Sequence, residues 1–217
     1  IARRYSRSTG VRVRVSSAAS SVLARQIAAG AQADVFVAAN PLWMNWLQDK
    51  NLITPDTRTV LMANQLILAA PGMSPRIAPR GDLSRALEQA AKSGRIAMGD
   101  PDHVPVGQYG KAALKSLGLW TMVQPRLART PNAVATIALI ARHEVAAGVI
   151  YASDLRLSNA IHIIAAFPAT SHPPIHYEVA LLRDQPHPAA KLFVAALLSD
   201  AGQAMFVAHG FAPRPGN

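Results

Sequence analysis

The chain has 217 residues, of which 50% are apolar and 16% are charged. This balance excludes a disordered tail and a charged coiled coil, and it predicts one large globular domain or two of about 100 residues. A formal net charge of +10 predicts a surface that attracts anions, and the absence of cysteine excludes disulfides, thiolate metal sites and thiol nucleophiles.

Basic residues are concentrated near the start of the chain, in the run from Arg3 to Arg14. Such a run is compatible with nucleic-acid binding. However, aromatic residues make up only 6% of the chain, and no zinc-finger, glycine-rich RNA-binding or leucine-zipper pattern accompanies the run. We interpret it as a solvated basic surface and expect no nucleic-acid partner.

Predicted helices and strands alternate along the first 70 residues. The chain opens within an amphipathic helical pattern that ends at Gly10, so we expect further residues before Ile1. Residues 11–15 alternate valine and arginine, which is typical of a half-exposed strand. A serine-rich turn at 16–21 then leads into a second helix. Further strands are predicted at 33–38 and 65–70, with a helix from Pro41 between them.

The rest of the chain repeats this alternation and indicates an α/β fold. Short apolar runs separate amphipathic stretches of about ten residues, which is typical of mostly parallel sheets flanked by helices. A turn-rich loop is predicted at 100–107. The predicted helices are 83–93, 108–117, 132–143, 189–198 and 201–209, and the predicted strands are 95–99, 147–151, 161–167 and 177–182.

The side chains that usually carry catalysis form no recognisable motif. The seven histidines show no close-set metal-ligand spacing, and Pro173 and Pro174 keep His172 and His176 from sharing a helical face. The sequence contains no nucleophile elbow, phosphate-binding loop or dinucleotide-binding glycine pattern. We therefore predict that the protein is not an enzyme and that it has no direct cation site.

A different pattern recurs at 16–21, 105–108 and 130–132: a strand, a short turn and then a helix. The first N–H groups of a helix lack intrahelical partners, and the helix dipole places partial positive charge there. Each turn is therefore able to receive an anion. The alternative is that Ser and Asn at these turns are ordinary helix caps, and the pattern alone favours that alternative.

Three strings of residues, taken in order along the chain, resemble one known family. They are S-S-V-L-A-R at 20–25, G-D-P-D-H-V-P-V-G at 99–107 and A-G-V-I-Y-A-S-D at 147–154. The likeness continues in register over essentially the whole chain. The sequence resembles the periplasmic molybdate-binding proteins of ABC-type molybdate importers.

The resemblance implies a fold with two lobes and a ligand cleft between them. It is the two-lobed, type II periplasmic-binding-protein-like α/β fold, in which each lobe is a mostly parallel sheet flanked by helices. Lobe one would comprise residues 1–64 and 176–217, and lobe two, inserted in it, residues 65–175. The first strand of the family and its serine-bearing turn would lie before Ile1.

The resemblance also implies which residues bind the oxyanion. Ser20 would donate from its hydroxyl and backbone N–H, Val106 and Ala133 from their backbone N–H groups, and Tyr151 from its phenolic O–H. Of the other residues, Trp43 and Trp46 are predicted to pack in lobe one. Asp34 is predicted to brace the cleft, because a carboxylate facing the anion would repel it.

The function implied is binding of molybdate or tungstate and delivery to an ABC permease and its ATPase. The protein would be a periplasmic monomer without a cofactor, and its apolar runs are shorter than the roughly 18 residues of a membrane-spanning helix. Two alternatives remain open. One is a binding protein for another oxyanion such as sulfate or phosphate, and the other is the oxyanion-sensing effector domain of a regulator.

Overall fold

The computed structural model describes residues 1–72, 82–183 and 186–215. The chain divides into two compact units, one formed by residues 1–63 and 176–217 and the other by residues 64–175. It therefore passes from the first unit into the second once and returns once. The lobe boundaries proposed above, and a ligand cleft between the lobes, stay predictions.

The described segments contain alternating strands and helices. The strands are β1 (Val35–Ala38), β2 (Thr59–Asn64), β3 (Leu66–Pro71), β4 (Ile96–Gly99), β5 (Leu127–Thr130), β6 (Ala147–Tyr151), β7 (Ile161–Ala166) and β8 (Ile175–Leu181). The helices are α1 (Ala2–Thr9), α2 (Ser20–Ala28), α3 (Pro41–Asp49), α4 (Leu83–Ser93), α5 (Pro105–Ser116), α6 (Trp120–Val123), α7 (Ala133–Ala141), α8 (Ala189–Leu198) and α9 (Asp200–Ala208). Short 3₁₀ helices lie at Pro55–Thr57, Gln124–Arg126, Ala152–Leu157 and Ala169–Ser171.

The first unit is built on a three-stranded sheet in the order β1-β8-β2. Strand β1 runs antiparallel to β8, with Val35 opposite Leu181. Phe36 and Ala38 join a core cluster with residues of α2 and α3. Val35 and Val37 pack instead against a second cluster that includes residues of α8. This alternation is the period of two that a strand between two helical layers requires.

The second unit contains a five-stranded sheet in the order β5-β4-β6-β3-β7. Strand β4 is parallel to both β5 and β6. Strand β3 is antiparallel to both β6 and β7. The predicted α/β class therefore holds, but the expectation of mostly parallel sheets is wrong, since the pairing is mixed. Helical crossovers through α5 and α7 impose one direction on β4, β5 and β6, whereas no such unit connects β3 directly to its neighbours.

The predicted strand at 11–15 does not form. These residues pair with no described strand, and the Val13 N–H donates instead to Ser6 Oγ at 3.0 Å. The side chains of Arg12 and Arg14 are exposed. An alternating pattern becomes a strand only when a neighbouring strand completes its hydrogen-bond ladder, which the pattern itself does not reveal.

Several predicted boundaries shift by a few residues, and two strands, β2 and β5, were not among those predicted. Helix α5 begins at Pro105, where proline occupies the first turn, and not at residue 108. Strand β8 begins at Ile175 and not at residue 177. Strand β2 was not predicted at all, although Leu61 and Met62 are buried in the first unit.

Within the described ranges, no single helix has both the length and the hydropathy needed to cross a membrane. Helices α8 and α9 reach that length and hydropathy only when they are taken together, and they are bent by 62° relative to each other. Val194 and Leu197 of α8 are buried in the core of the first unit, and so are Gly202 and Gln203 of α9.

Candidate functional site

Three of the four predicted site residues lie at one edge of the five-stranded sheet. Strands β4, β5 and β6 are parallel neighbours, so their carboxyl ends meet at the same edge, with Gly99 opposite Thr130. Val106 and Ala133 lie in the first turns of α5 and α7, the helices that follow β4 and β5. Tyr151 is the last residue of β6. The fold thus brings together three residues that are far apart in sequence.

Val106 is the second residue of α5 and is only 1% exposed. The first turn of α5 has no side-chain cap, and its hydrogen-bond ladder starts with the Gln108 N–H donating to Val104 O at 2.9 Å. The N–H groups of Val106 and Gly107 precede that bond and lie outside the ladder. At Gly107 a Cβ would collide with the carbonyl oxygen of Gly99, so only glycine lets α5 begin this close to β4.

Ala133 is the first residue of α7, and the turn before it is held by side chains. Asn132 Oδ1 accepts the Ala135 N–H at 2.8 Å, so Asn132 is a true helix cap. The hydroxyls of Thr130 and Thr136 are 2.7 Å apart, and Thr130 Oγ1 also donates to Asn132 O at 3.1 Å. This cap is occupied by the N–H of Ala135. The N–H of Ala133 lies outside the helical ladder, because the first residues of a helix have no intrahelical acceptor for their N–H groups.

Tyr151 is 4% exposed and lies beside a buried carboxyl group. Its backbone N–H donates to Asp154 Oδ2 at 3.1 Å. Burial raises the pKa of Asp154 to about 6, although the hydrogen bond from Tyr151 opposes this change. Nearby, Asn64 Nδ2 donates to Ser153 Oγ at 2.9 Å, which anchors the turn after β6 to the last residue of β2.

Ser20 lies in the first unit, at the start of α2, and is 6% exposed. Its Oγ accepts the N–H of Ala39, just beyond β1, at 3.0 Å. Because this bond uses an acceptor lone pair of the hydroxyl, the hydroxyl proton stays available for donation. That Ser20 shares a site with Val106, Ala133 and Tyr151 stays a prediction.

An ion-pair cluster surrounds the loop before α5, and sequence analysis missed it. The Asp102 carboxylate lies 2.7 Å from Lys111 Nζ and 2.9 Å from Arg129 Nη1, while Arg129 is 3.6 Å from Asp100. Hydrogen bonds from Lys111 and Arg129 lower the pKa of Asp102, and the bond to Asp102 raises the pKa of Arg129. Nothing in the local sequence identifies the partners, because Arg129 is 27 residues from Asp102.

Trp43 and Trp46 have the packing role predicted for them. Their rings meet edge to face at 5.8 Å, and Trp43 is part of the core cluster against which Trp46 packs.

Asp34 Oδ1 accepts the N–H of His187 and so holds the segment before α8. Its predicted role in a cleft is untested. Among the residues that the structure describes, no group of three or more His, Cys, Asp or Glu side chains is arranged to hold a metal ion.

The family model for bacterial extracellular solute-binding proteins matches residues 1–212 of this chain. The chain belongs to this family. It is 38% identical over 202 residues to a protein named molybdate-binding protein ModA from Haemophilus influenzae, covering 92% of this chain and 78% of the relative. It is 37% identical over 211 residues to the Escherichia coli protein of the same name, covering 97% of this chain and 82% of that relative. The resemblance identified from the sequence is confirmed.

A solved structure supports the fold independently. The periplasmic molybdate-binding protein of Azotobacter vinelandii superposes with a TM-score of 0.81 at 20% identity, covering 98% of this chain and 92% of that one. At this identity the likeness concerns the fold alone. It confirms the predicted class, an α/β fold of the periplasmic-binding-protein type.

Proposed function

We propose that this family member binds molybdate or tungstate and delivers it to the permease and ATPase of an ABC importer in the periplasm. One observation carries the proposal. In a chain 38% identical to a molybdate-binding protein, Val106, Ala133 and Tyr151 lie at the carboxyl ends of three adjacent parallel strands. Two helix N-termini and a phenol at one sheet edge are suited to hold a small anion.

The chemistry of the donors favours a fully deprotonated oxyanion. In the proposed site, the anion accepts hydrogen bonds from the backbone N–H groups of Val106 and Ala133 and from the hydroxyl of Tyr151. None of these donors carries a positive charge that must be desolvated. A protonated oxyanion such as hydrogen phosphate would bring its own O–H to a site without an acceptor for it. Leaving that group unpaired costs about 1–3 kcal/mol. Molybdate and tungstate are free of this penalty.

Ser20 is proposed as a fourth donor, contributed by the first unit. The Ala39 N–H that donates to Ser20 Oγ orients the hydroxyl and leaves its proton free for the ligand. In this proposal the two lobes close on the anion by a hinge motion, as in other binding proteins of this kind. None of these four residues forms a nucleophile–base pair, so the proposed role is binding without catalysis or cofactor.

Calorimetric titration of the chain with molybdate, tungstate, sulfate and phosphate tests the proposal. We expect saturable heat at one site per monomer with molybdate and tungstate, and none with the other two. Sulfate is also deprotonated, so its rejection depends on the size of the cavity. Heat with sulfate alone would favour the alternative of a sulfate-binding protein, and no heat with any of the four would refute the proposal.

A further inference from the structure

The chain passes between the two units at two places, and each place coincides with the end of a strand. The first crossing joins Ala63 to Asn64 at the end of β2. The second crossing joins Ile175 to His176 at the start of β8. A hinge motion of the kind proposed above changes backbone dihedral angles at a few such residues at the ends of elements. The contacts that hold these two strands therefore bear on solute binding.

In the first unit, both crossing strands are held by the segment that follows α9. The N–H of Ala63 donates to Ala212 O at 3.0 Å, and the N–H of Ala212 donates to Ala63 O at 2.9 Å. The ring of Phe211 meets the ring of Tyr177, the third residue of β8, edge to face at 5.4 Å. Two consecutive residues thus contact β2 and β8 close to the points where the chain crosses. We call residues 210–212 the anchor segment.

The anchor segment is itself fixed to α9. The N–H of Phe211 donates to Phe206 O at 3.2 Å, and the rings of these two residues are 6.0 Å apart. Gly210 supplies the positive φ of 86° with which the chain turns out of the helix. The buried Gln203 of α9 donates to Leu61 O of β2 at 3.0 Å. Helix α9 and the anchor segment together therefore support both crossing strands.

In the second unit, the same two crossings are tied to elements that carry proposed anion donors. Asn64 Nδ2 donates to Ser153 Oγ at 2.9 Å, in the turn that follows Tyr151. The hydroxyl of Tyr109 in α5, a helix whose first turn contains another proposed donor, donates to Pro174 O at 3.4 Å. Pro174 directly precedes β8. The crossings that the anchor segment holds thus lead directly to the turn after β6 and to α5.

We propose that Phe211 is a positioning residue for anion binding, because it restricts the directions in which both crossings leave the first unit. This inference rests on the proposed function. Without the ring, β8 loses its contact with the anchor segment, and Ala212 is held less firmly against Ala63. The ligand-free chain then samples more arrangements, which binding must order, and this entropy cost lowers the affinity. Phe211 acts in this way without touching the anion.

Molybdate binding by Phe211→Ala tests the proposal. We expect the affinity to fall about fivefold, with most of the change in the dissociation rate. Calorimetry measures the affinity, and stopped-flow tryptophan fluorescence measures the two rate constants. Phe211→Tyr keeps an aromatic ring and should bind molybdate as the wild type does.

A matched variant separates positioning from overall stability. Phe193→Ala also removes an edge-to-face ring contact in the first unit, but this contact, with Tyr5 at 5.1 Å, joins α8 to α1 and not to a crossing strand. Phe193→Ala should keep wild-type affinity even where it lowers the melting temperature as much as Phe211→Ala does. An equal loss of affinity in the two variants would refute the proposal, and so would wild-type affinity in Phe211→Ala.

A measurement without ligand distinguishes failure of this inference from failure of the proposed function. The chain has no cysteine, so spin labels can be placed at Asp49→Cys in the first unit and Ser116→Cys in the second, both exposed and both at helix ends. The label-to-label distances, measured by double electron–electron resonance, should be more widely distributed in Phe211→Ala than in wild type or Phe193→Ala. Equal widths would refute the positioning role. The expected broadening without molybdate binding in any variant would refute the proposed function alone.

Discussion

Asp102 accepts a hydrogen bond from Arg129 at 2.9 Å, and this pair joins the loop before α5 to the strand before α7. A second link runs beside it, since the Asp100 N–H donates to Thr130 O at 2.8 Å. The proposed donors Val106 and Ala133 lie just beyond these two links. The spacing of the two helix N-termini is therefore held by contacts outside the helices themselves.

Asp102→Asn should weaken oxyanion binding about two- to fivefold, the usual effect of an exposed ion pair. The loss should disappear in about 1 M NaCl, because salt screens the wild-type pair as well. Calorimetric titration at both salt concentrations measures it. Glu144→Gln, which removes the exposed pair of Glu144 with Arg142, is the control and should leave affinity unchanged. A loss that is the same at both salt concentrations would contradict this role for Asp102.

Tyr151→Phe should weaken molybdate binding by about 1–3 kcal/mol, because the anion loses one hydroxyl donor while the ring still fills the same space. The unfolding temperature without ligand should change little by comparison. Tyr5→Phe, in which the ring packs on Phe193, is the matched control. Wild-type affinity in Tyr151→Phe would remove this residue from the proposed site.

Ser20→Ala should also weaken binding by about 1–3 kcal/mol. Here a second effect adds to the lost donor, since the Ala39 N–H loses its acceptor on Ser20 Oγ. A melting curve without ligand measures that second effect separately. Ser93→Ala removes a serine hydroxyl that donates to Gln89 O at an exposed position of α4, and it should leave affinity unchanged. Unaltered affinity in Ser20→Ala would exclude the first unit's proposed donor.

Gly107→Ala should destabilise the chain by about 3 kcal/mol or more, because the added methyl group has no room beside Gly99 O. The backbone must move to relieve the clash, so the N-terminus of α5 should also lose affinity for the anion. Gly94→Ala is the control, since its Cβ would meet Ala146 Cβ at an ordinary 3.5 Å. Urea unfolding and titration measure both effects, and equal stabilities of the two variants would contradict the packing argument.

The buried carboxyl group of Asp154 should make the stability of the fold depend on pH. Its pKa is about 6 in the folded chain, compared with 3.8 for an ordinary aspartate, so the folded state binds more protons between these two pH values. Stability should therefore fall as pH rises from about 4 to about 6, by roughly 3 kcal/mol in total, and then level off. Asp154→Asn keeps an acceptor for the Tyr151 N–H and removes this loss.

The measurement is urea unfolding of wild type and Asp154→Asn between pH 4 and pH 8. The stability gained by the variant should grow between about pH 4 and pH 6 and stay constant above it. Asp56→Asn, at an exposed aspartate, should show no comparable gain. A gain for Asp154→Asn that is independent of pH would show that burial does not perturb this carboxyl group.

Local patterns predicted much of the fold. Asn132 before an apolar helix is a start signal that acts within one turn, and α7 begins directly after it. Pro105 was assigned to the loop at 100–107, although it is the first residue of α5. The proposed site is different, because Val106 and Ala133 would contribute only their backbone N–H groups and no side-chain pattern distinguishes them. They were proposed from the resemblance to a family, through strings of residues whose order along the chain carries the information.

The sequence by itself determined the composition, the starts of helices and the residue strings that identify the family. Each of these depends only on residues that are close together or on their order along the chain. The direction of β3, the failure of residues 11–15 to form a strand and the bond between Asp102 and Arg129 were decided only on folding. Each depends on a partner that is distant in sequence, and a hydrogen-bond ladder or an ion pair has no local signature before that partner arrives. The same reason explains why Val106, Ala133 and Tyr151 meet at one edge only once three parallel strands have aligned.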